Sequence, residues 1–140
     1  MSNITKLREQ LRHYRYLATH DQLTGLLNRR GLDETGGDHY VVADLNGFKA
    51  AQDKHPLGHA FGDAVLCAFA RFLELNIREG DAVACRSGGD EFVVRCDSRQ
   101  GAVRIANMIV GWTYCGVSAS AGVGSTVREA DADCYNNKPR

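Results

Sequence analysis

The paired glycines Gly88-Gly89 constrain this chain more than any other feature. They separate two runs of strand-forming residues, Ala82 to Arg86 and Glu91 to Cys96. Glycine adopts the left-handed conformations that a tight hairpin turn requires. The three segments together predict an antiparallel hairpin with Asp90 and Glu91 at its tip. Two adjacent carboxylates repel each other there, and a bound divalent cation would relieve the repulsion.

The remaining pattern supplies the layers around that hairpin. Ile4, Leu7, Leu11, Tyr14 and Ala18 follow a +3, +4 spacing, an apolar stripe on an amphipathic helix. The stripe spans about two heptads, so it suits either a paired helix or one that packs back on its own domain. Residues 1–18 are expected to form this helix and residues 19–140 the main domain. Asp21 is expected to N-cap a short helix, and Gly36-Gly37-Asp38 to form a turn. Tyr40 to Leu45 reads as a buried strand, and Phe48 to about Lys54 as a helix. Pro56 ends that helix, with Gly58 and Gly62 framing a loop. Asp63 to Leu73 has the apolar spacing of a strong helix, which Asp63 could cap. Ala102 to Val110 predicts another helix, Val117 to Val123 a strand of small residues, and Asp131 to Lys138 a last helix. The expected fold is α+β, a mainly antiparallel central sheet flanked by helices.

Composition narrows the function classes. Lys plus Arg and Asp plus Glu both number 17, so the formal net charge is zero. That argues against a nucleic-acid or anionic-membrane binder, since both rely on excess positive charge. No apolar run reaches the roughly 20 residues that span a bilayer, and the N-terminal segment lacks the apolar stretch of a signal peptide. The five cysteines form no C-x-x-C pair, so they predict reduced, buried thiols and a cytoplasmic protein.

Asp44 falls near the end of the predicted buried strand. Should that strand neighbour the hairpin, Asp44 and Asp90 converge on a shared Mg2+, which favours one or two carboxylates plus substrate phosphates. Such a site serves phosphoryl or nucleotidyl transfer. Lys49 and the backbone amides around Gly47 and Phe48 could hold phosphate oxygens.

Several stretches together resemble the GGDEF domains of the diguanylate cyclase family. They are Asp21 to Arg30 (DQLTGLLNRR), Asp44 to Lys49 (DLNGFK), Gly58 to Asp63 (GHAFGD), Arg86 to Phe92 (RSGGDEF), Ser120 to Val123 (SAGV), and Ala130-Asp131 through Tyr135 to Lys138. They occur in the family's order across most of the chain. The resemblance implies a palm-like nucleotidyl cyclase fold, with two facing domains that each hold one GTP and join them into cyclic di-GMP. It implies Mg2+ or Mn2+ bound by Asp44, Asp90 and the Leu45 carbonyl, with Asp90 or Glu91 helping to deprotonate the attacking 3′-hydroxyl. Lys49 and Lys138 would hold the triphosphate, with Gly47, Phe48, Gly88 and Gly89 also lining the substrate. Asp63 and Gln52 would read the guanine edge. His59 suits a structural hydrogen bond in its loop better than the role of a base, and Arg29 and Arg30 suit a surface role better than phosphate binding. The expected partners are GTP, a second copy of the chain, and an upstream sensor domain or partner protein.

The chain also departs from the family pattern. Asn46 stands where the family usually has Asp, and Gln52 where it has Asn. Two extra residues, Pro56 among them, lie between Gln52 and His59. Arg78-Glu79-Gly80-Asp81 matches an R-x-x-D product-binding motif set one residue further upstream; a solvated turn is the alternative. The segments 30–44, 92–120 and 123–130 are short, and Arg140 is expected to supply part of the closing basic charge. These departures leave two alternatives to an active cyclase: a non-catalytic domain that binds GTP or cyclic di-GMP, and a cyclase of altered nucleotide choice.

Overall fold

Strand β1 (His39–Asn46) forms the middle of a five-stranded sheet because its residues are apolar on both faces: Val41, Val42 and Ala43 are all buried. The structure, a computed structural model, describes residues 2–139; Arg140 lies outside the described residues. Ahead of β1 come α1 (Asn3–Thr19) and α2 (Arg29–Asp33). After it follow α3 (Phe48–Lys54), α4 (His59–Asn76), β2 (Ala82–Gly88), β3 (Glu91–Cys96), α5 (Arg99–Val110), β4 (Thr113–Tyr114), β5 (Val117–Gly124) and α6 (Val127–Asn137). The sheet order is β2-β3-β1-β5-β4, and every pairing is antiparallel. This is the expected α+β fold.

Strand alternation divides the core between the two faces. Val41, Ala43 and Leu45 of β1 join Phe92 and Val94 of β3 and Ala119 and Ala121 of β5 against α4 and α5. There Phe69 meets Phe92 and Trp112 edge-on, with ring centroids 4.7 and 4.9 Å apart. Burying each such side chain contributes about 1.5–3 kcal/mol. On the opposite face Val42, Cys85 and Val93 pack with Leu32 of α2 and with Ala130 and Cys134 of α6. Asp44 and Glu91 share the parity of Val42 and Val93, so both fall on the α6 face.

Helix α6 lies directly on β5. Asp133 accepts from the Val123 amide at 2.9 Å, and Asn137 donates to the Ala121 carbonyl at 3.0 Å. A Cβ at Gly122 would stand 2.1 Å from the Cys134 nitrogen and 2.3 Å from the Ala130 oxygen. Only glycine admits this approach, which brings the helix end carrying Lys138 over the sheet.

Several expectations are corrected. Asp21 caps a turn rather than a helix, accepting from the Thr24 amide and hydroxyl; the short helix α2 starts later, with Asn28 as its N-cap. Helix α4 begins at His59, so Gly62 is a buried helical residue and Asp63 sits past the N-cap, which is Gly58. The helix start moved upstream because Gly58 takes positive φ (52°) and turns the chain into the helix itself. Helix α1 buries no residue, and Ile4, Leu7, Leu11 and Tyr14 are 50–66% exposed. Its stripe therefore does not pack back on the domain. Cys85, Cys96 and Cys134 are buried and free, but Cys67 is half-buried and Cys115 is exposed. No helix among the described residues is long and apolar enough to cross a membrane.

Replacing Gly122 by Ala is expected to cost about 1–3 kcal/mol by overpacking. The check is the urea midpoint, which should fall with little change in m. An unchanged midpoint would contradict the close seating of α6.

Candidate functional site

The β1–β3 register sets Asp44 directly opposite Glu91, and the hairpin turn then places Asp90 beside them. Gly88 and Gly89 both take positive φ, 155° and 51°, which lets the strand reverse within two residues. Arg86, one strand earlier, locks this turn. Its Nε donates to the Gly89 carbonyl at 2.8 Å and its Nη1 to Asp21 Oδ1 at 3.0 Å. The Arg86–Asp21 pair is only 17% and 18% exposed, so it joins the signature hairpin firmly to the turn that follows α1.

Lys138, the C-cap of α6, closes the opposite side of the site. Its Nζ lies 2.6 Å from Asp44 Oδ2, and the hydrogen bond to Asp44 raises the ammonium above its ordinary pKa. A cavity of about 290 Å3 opens beside Asp44, Asp131, Tyr135, Asn136 and Lys138. Burial, and secondarily the Asp44 charge, pushes the Asp90 carboxyl above the usual carboxylate range. Glu91 is raised as well, by burial first and by Asp131 second.

Asp44 and Asp131 offer hard oxygens to this cavity, and a cation between Asp44 and Asp90 would remove the repulsion that adds to burial in raising Asp90. Leu45, next to Asp44 on β1, has its side chain buried in the core. Among the described residues no three His, Cys, Asp or Glu side chains gather into a closed metal cage. An open pair of carboxylates is the arrangement that fits Mg2+ completed by water and phosphate.

The other expected residues form a second group. Gly47, at φ 64°, starts α3 without a side-chain cap. Phe48 packs partly against the core, and Lys49 is exposed and makes no ion pair among the described residues. Gln52 reaches from α3 onto α4, where it meets His59 and Gly62, the neighbour of Asp63. His59 is thus a hydrogen-bonding residue, as expected, but on a helix rather than in a loop. Arg29 pairs with Asp33 on the exposed face of α2, consistent with a surface role.

Arg78 and Asp81 stand apart from both groups. They form an exposed turn, with the Asp81 amide donating to the Arg78 carbonyl, at the opposite end of β2 from Gly88. Asn46 fills its departure from the family pattern with two bonds to β5: it donates to Ser118 Oγ and accepts from Ser120 Oγ. Sequence reasoning gave no role to Arg86 or Asp131, and read Asp21 only as a helix cap. Arg86 lay within a recognised motif, but its partner is 65 residues away in sequence.

In the unliganded protein, Asp90→Asn is expected to raise Tm at neutral pH. A raised folded-state pKa makes the ionised Asp90 destabilising; that penalty is absent below the ordinary carboxylate pKa and grows as pH rises through the folded value. The Tm difference between variant and parent should therefore vanish on acidification. Thermal melts from pH 3 to pH 8 provide the check.

A family model described as "Diguanylate cyclase, GGDEF domain" matches residues 18–111. The chain is 45% identical over 101 residues to diguanylate cyclase DgcM of Escherichia coli (strain K12), covering 64% of this chain and 23% of that protein. It is 36% identical over 168 residues to the response regulator PleD of Caulobacter vibrioides (strain NA1000 / CB15N), covering 94% of this chain and 36% of that protein. The chain thus spans well under half the length of either relative. The aligned length with PleD exceeds this chain's 140 residues, as internal shortening produces. Among solved structures, the coiled coil and GGDEF domain of DgcB from Caulobacter crescentus, in complex with c-di-GMP, matches with TM-score 0.75 and 25% identity. That match covers 94% of this chain and 86% of the other.

Proposed function

The chain belongs to the diguanylate cyclase GGDEF-domain family, and from that premise we propose that it condenses two GTP molecules into cyclic di-GMP with release of pyrophosphate. The observation that carries the reading is the convergence of Asp44, Asp90, Glu91 and Lys138 at one end of the sheet. Asp44, Asp90 and the Leu45 carbonyl would hold Mg2+ or Mn2+. Bound there, the metal would neutralise phosphate charge and acidify the attacking 3′-hydroxyl.

The chain's own groups do the rest. Lys138 exchanges its Asp44 contact for the triphosphate, and Lys49 approaches the phosphates from α3. Asp90 is committed to the cation, so Glu91 is the better proton acceptor. Burial and Asp131 raise its carboxyl toward the range where a base accepts a proton effectively. Gln52 and Asp63 receive the guanine base. One domain holds one GTP, so ring closure needs two domains face to face. The uncovered stripe of α1 supplies a seam for that pairing. A domain that binds nucleotide without turnover is the second reading, favoured by the internal shortening.

Incubation with GTP and Mg2+ followed by chromatography tests this. A linear dinucleotide and cyclic di-GMP are expected, and Asp90→Ala should remove both. Lys138→Met should raise KM for GTP about tenfold or more, the worth of one hydrogen bond to a charged group. Bound GTP without product over hours would overturn the cyclase reading and leave the second. A hybrid product from mixed GTP and ATP would indicate altered nucleotide choice.

Charging the seam tests the pairing. Leu7→Glu with Leu11→Glu should raise the protein concentration for half-maximal turnover at least tenfold. An unchanged concentration dependence would exclude α1 as the seam.

A further inference from the structure

The Gln52 side chain is held at both ends of its amide. Its Nε2 lies 3.0 Å from His59 Nδ1. Its Oε1 rests against the α4 backbone at Gly62, where a Cβ would come within 2.0 Å of that oxygen. The connection between α3 and α4 is itself packed. The His55 ring stacks on Phe61 at 4.1 Å, and His55 Nδ1 accepts from the Leu57 amide at 3.1 Å. His59 is therefore positioned against Gln52 by a structured turn.

We infer that His59 is a positioning residue for base recognition: it orients the Gln52 amide so that its oxygen reads the 2-amino group of guanine. The inference rests on the nucleotide-site reading above. With its proton on Nε2, the neutral imidazole accepts at Nδ1, so it takes an N–H of Gln52 and settles which end of the amide carries the oxygen. Among the described residues Oε1 makes no hydrogen bond and no buried side-chain oxygen lacks a partner, so Oε1 is not sealed from solvent. It therefore keeps an acceptor for a ligand, and Asp63, the residue after Gly62 on α4, is exposed. The two acceptors match the N1–H and 2-amino donors of guanine. Adenine presents an acceptor at N1, and hypoxanthine lacks the 2-amino group.

The experiment compares binding of GTP and inosine triphosphate by titration calorimetry, with Ca2+ replacing Mg2+ to suppress turnover. The parent chain is expected to prefer GTP by about three- to tenfold, the range of one hydrogen bond. His59→Phe keeps a ring but drops the acceptor. It should bring that ratio near unity by weakening GTP and leaving inosine triphosphate unchanged. Gln52→Ala should give the same ratio, and the double variant no further loss, because the two residues act as one unit. His59→Asn, which restores an acceptor, should recover part of the preference.

Three results would overturn the inference: an unchanged ratio in His59→Phe, equal weakening of both nucleotides, or no preference in the parent chain. Failure of the parent chain to bind either nucleotide would remove the nucleotide-site reading with it.

Discussion

The antiparallel pairing of β1 with β3 is the constraint on which the site depends. It sets Asp44 opposite Glu91 and delivers Asp90 at the adjoining turn. Side chains alternate along a strand, so a slip of one residue would send Asp44 to the α4–α5 face and into the apolar core. The register is held from both sides by burial: Val41, Ala43, Phe92 and Val94 on one face, Val42 and Val93 on the other. The carboxylates thus stand where they do because the apolar residues beside them have only one way to be buried together.

Charge balance around that register determines what the site can accept. Asp44, Asp90, Glu91 and Asp131 bring negative charge to one end of the sheet, and among the described residues Lys138 is the cation that pairs with it. A half-exposed pair of this kind is worth at most about 1 kcal/mol, so it exchanges readily when phosphate or metal competes. The Arg86–Asp21 pair differs. It is largely shielded and shares its arginine with the Gly89 carbonyl. Removing either partner would strand the other in a desolvated place, which costs far more than losing a surface pair. One ion pair suits ligand exchange, and the other suits holding the hairpin against the segment that leads from α1.

Much of this was legible in the residues. The hairpin showed in Gly88-Gly89 between two strand-forming runs, β1 in its apolar run, and α3 ended where Pro56 follows. Asp44 and Asp90 could be paired on paper because each sits beside such an element. The α4 start was misplaced because glycine at Gly62 reads as a loop residue when its neighbours are unknown. In the fold, Gly62 is a contact: the Gln52 side chain lies where a side chain of its own would go. Asp21 was misjudged for the same reason, since its bond to Arg86 spans 65 positions.

Sequence alone determined the elements, the turn chemistry of the signature hairpin and the family resemblance, because these depend on residues close together along the chain. Tertiary structure decided the partners: Lys138 on Asp44, Arg86 on Asp21, His59 on Gln52, and α6 seated on Gly122. It also decided that the α1 stripe stays uncovered by the described residues. The physical reason is that local conformation follows from near neighbours, whereas hydrogen bonds, ion pairs and close packing need groups that only the closed sheet and its two helical layers bring within reach.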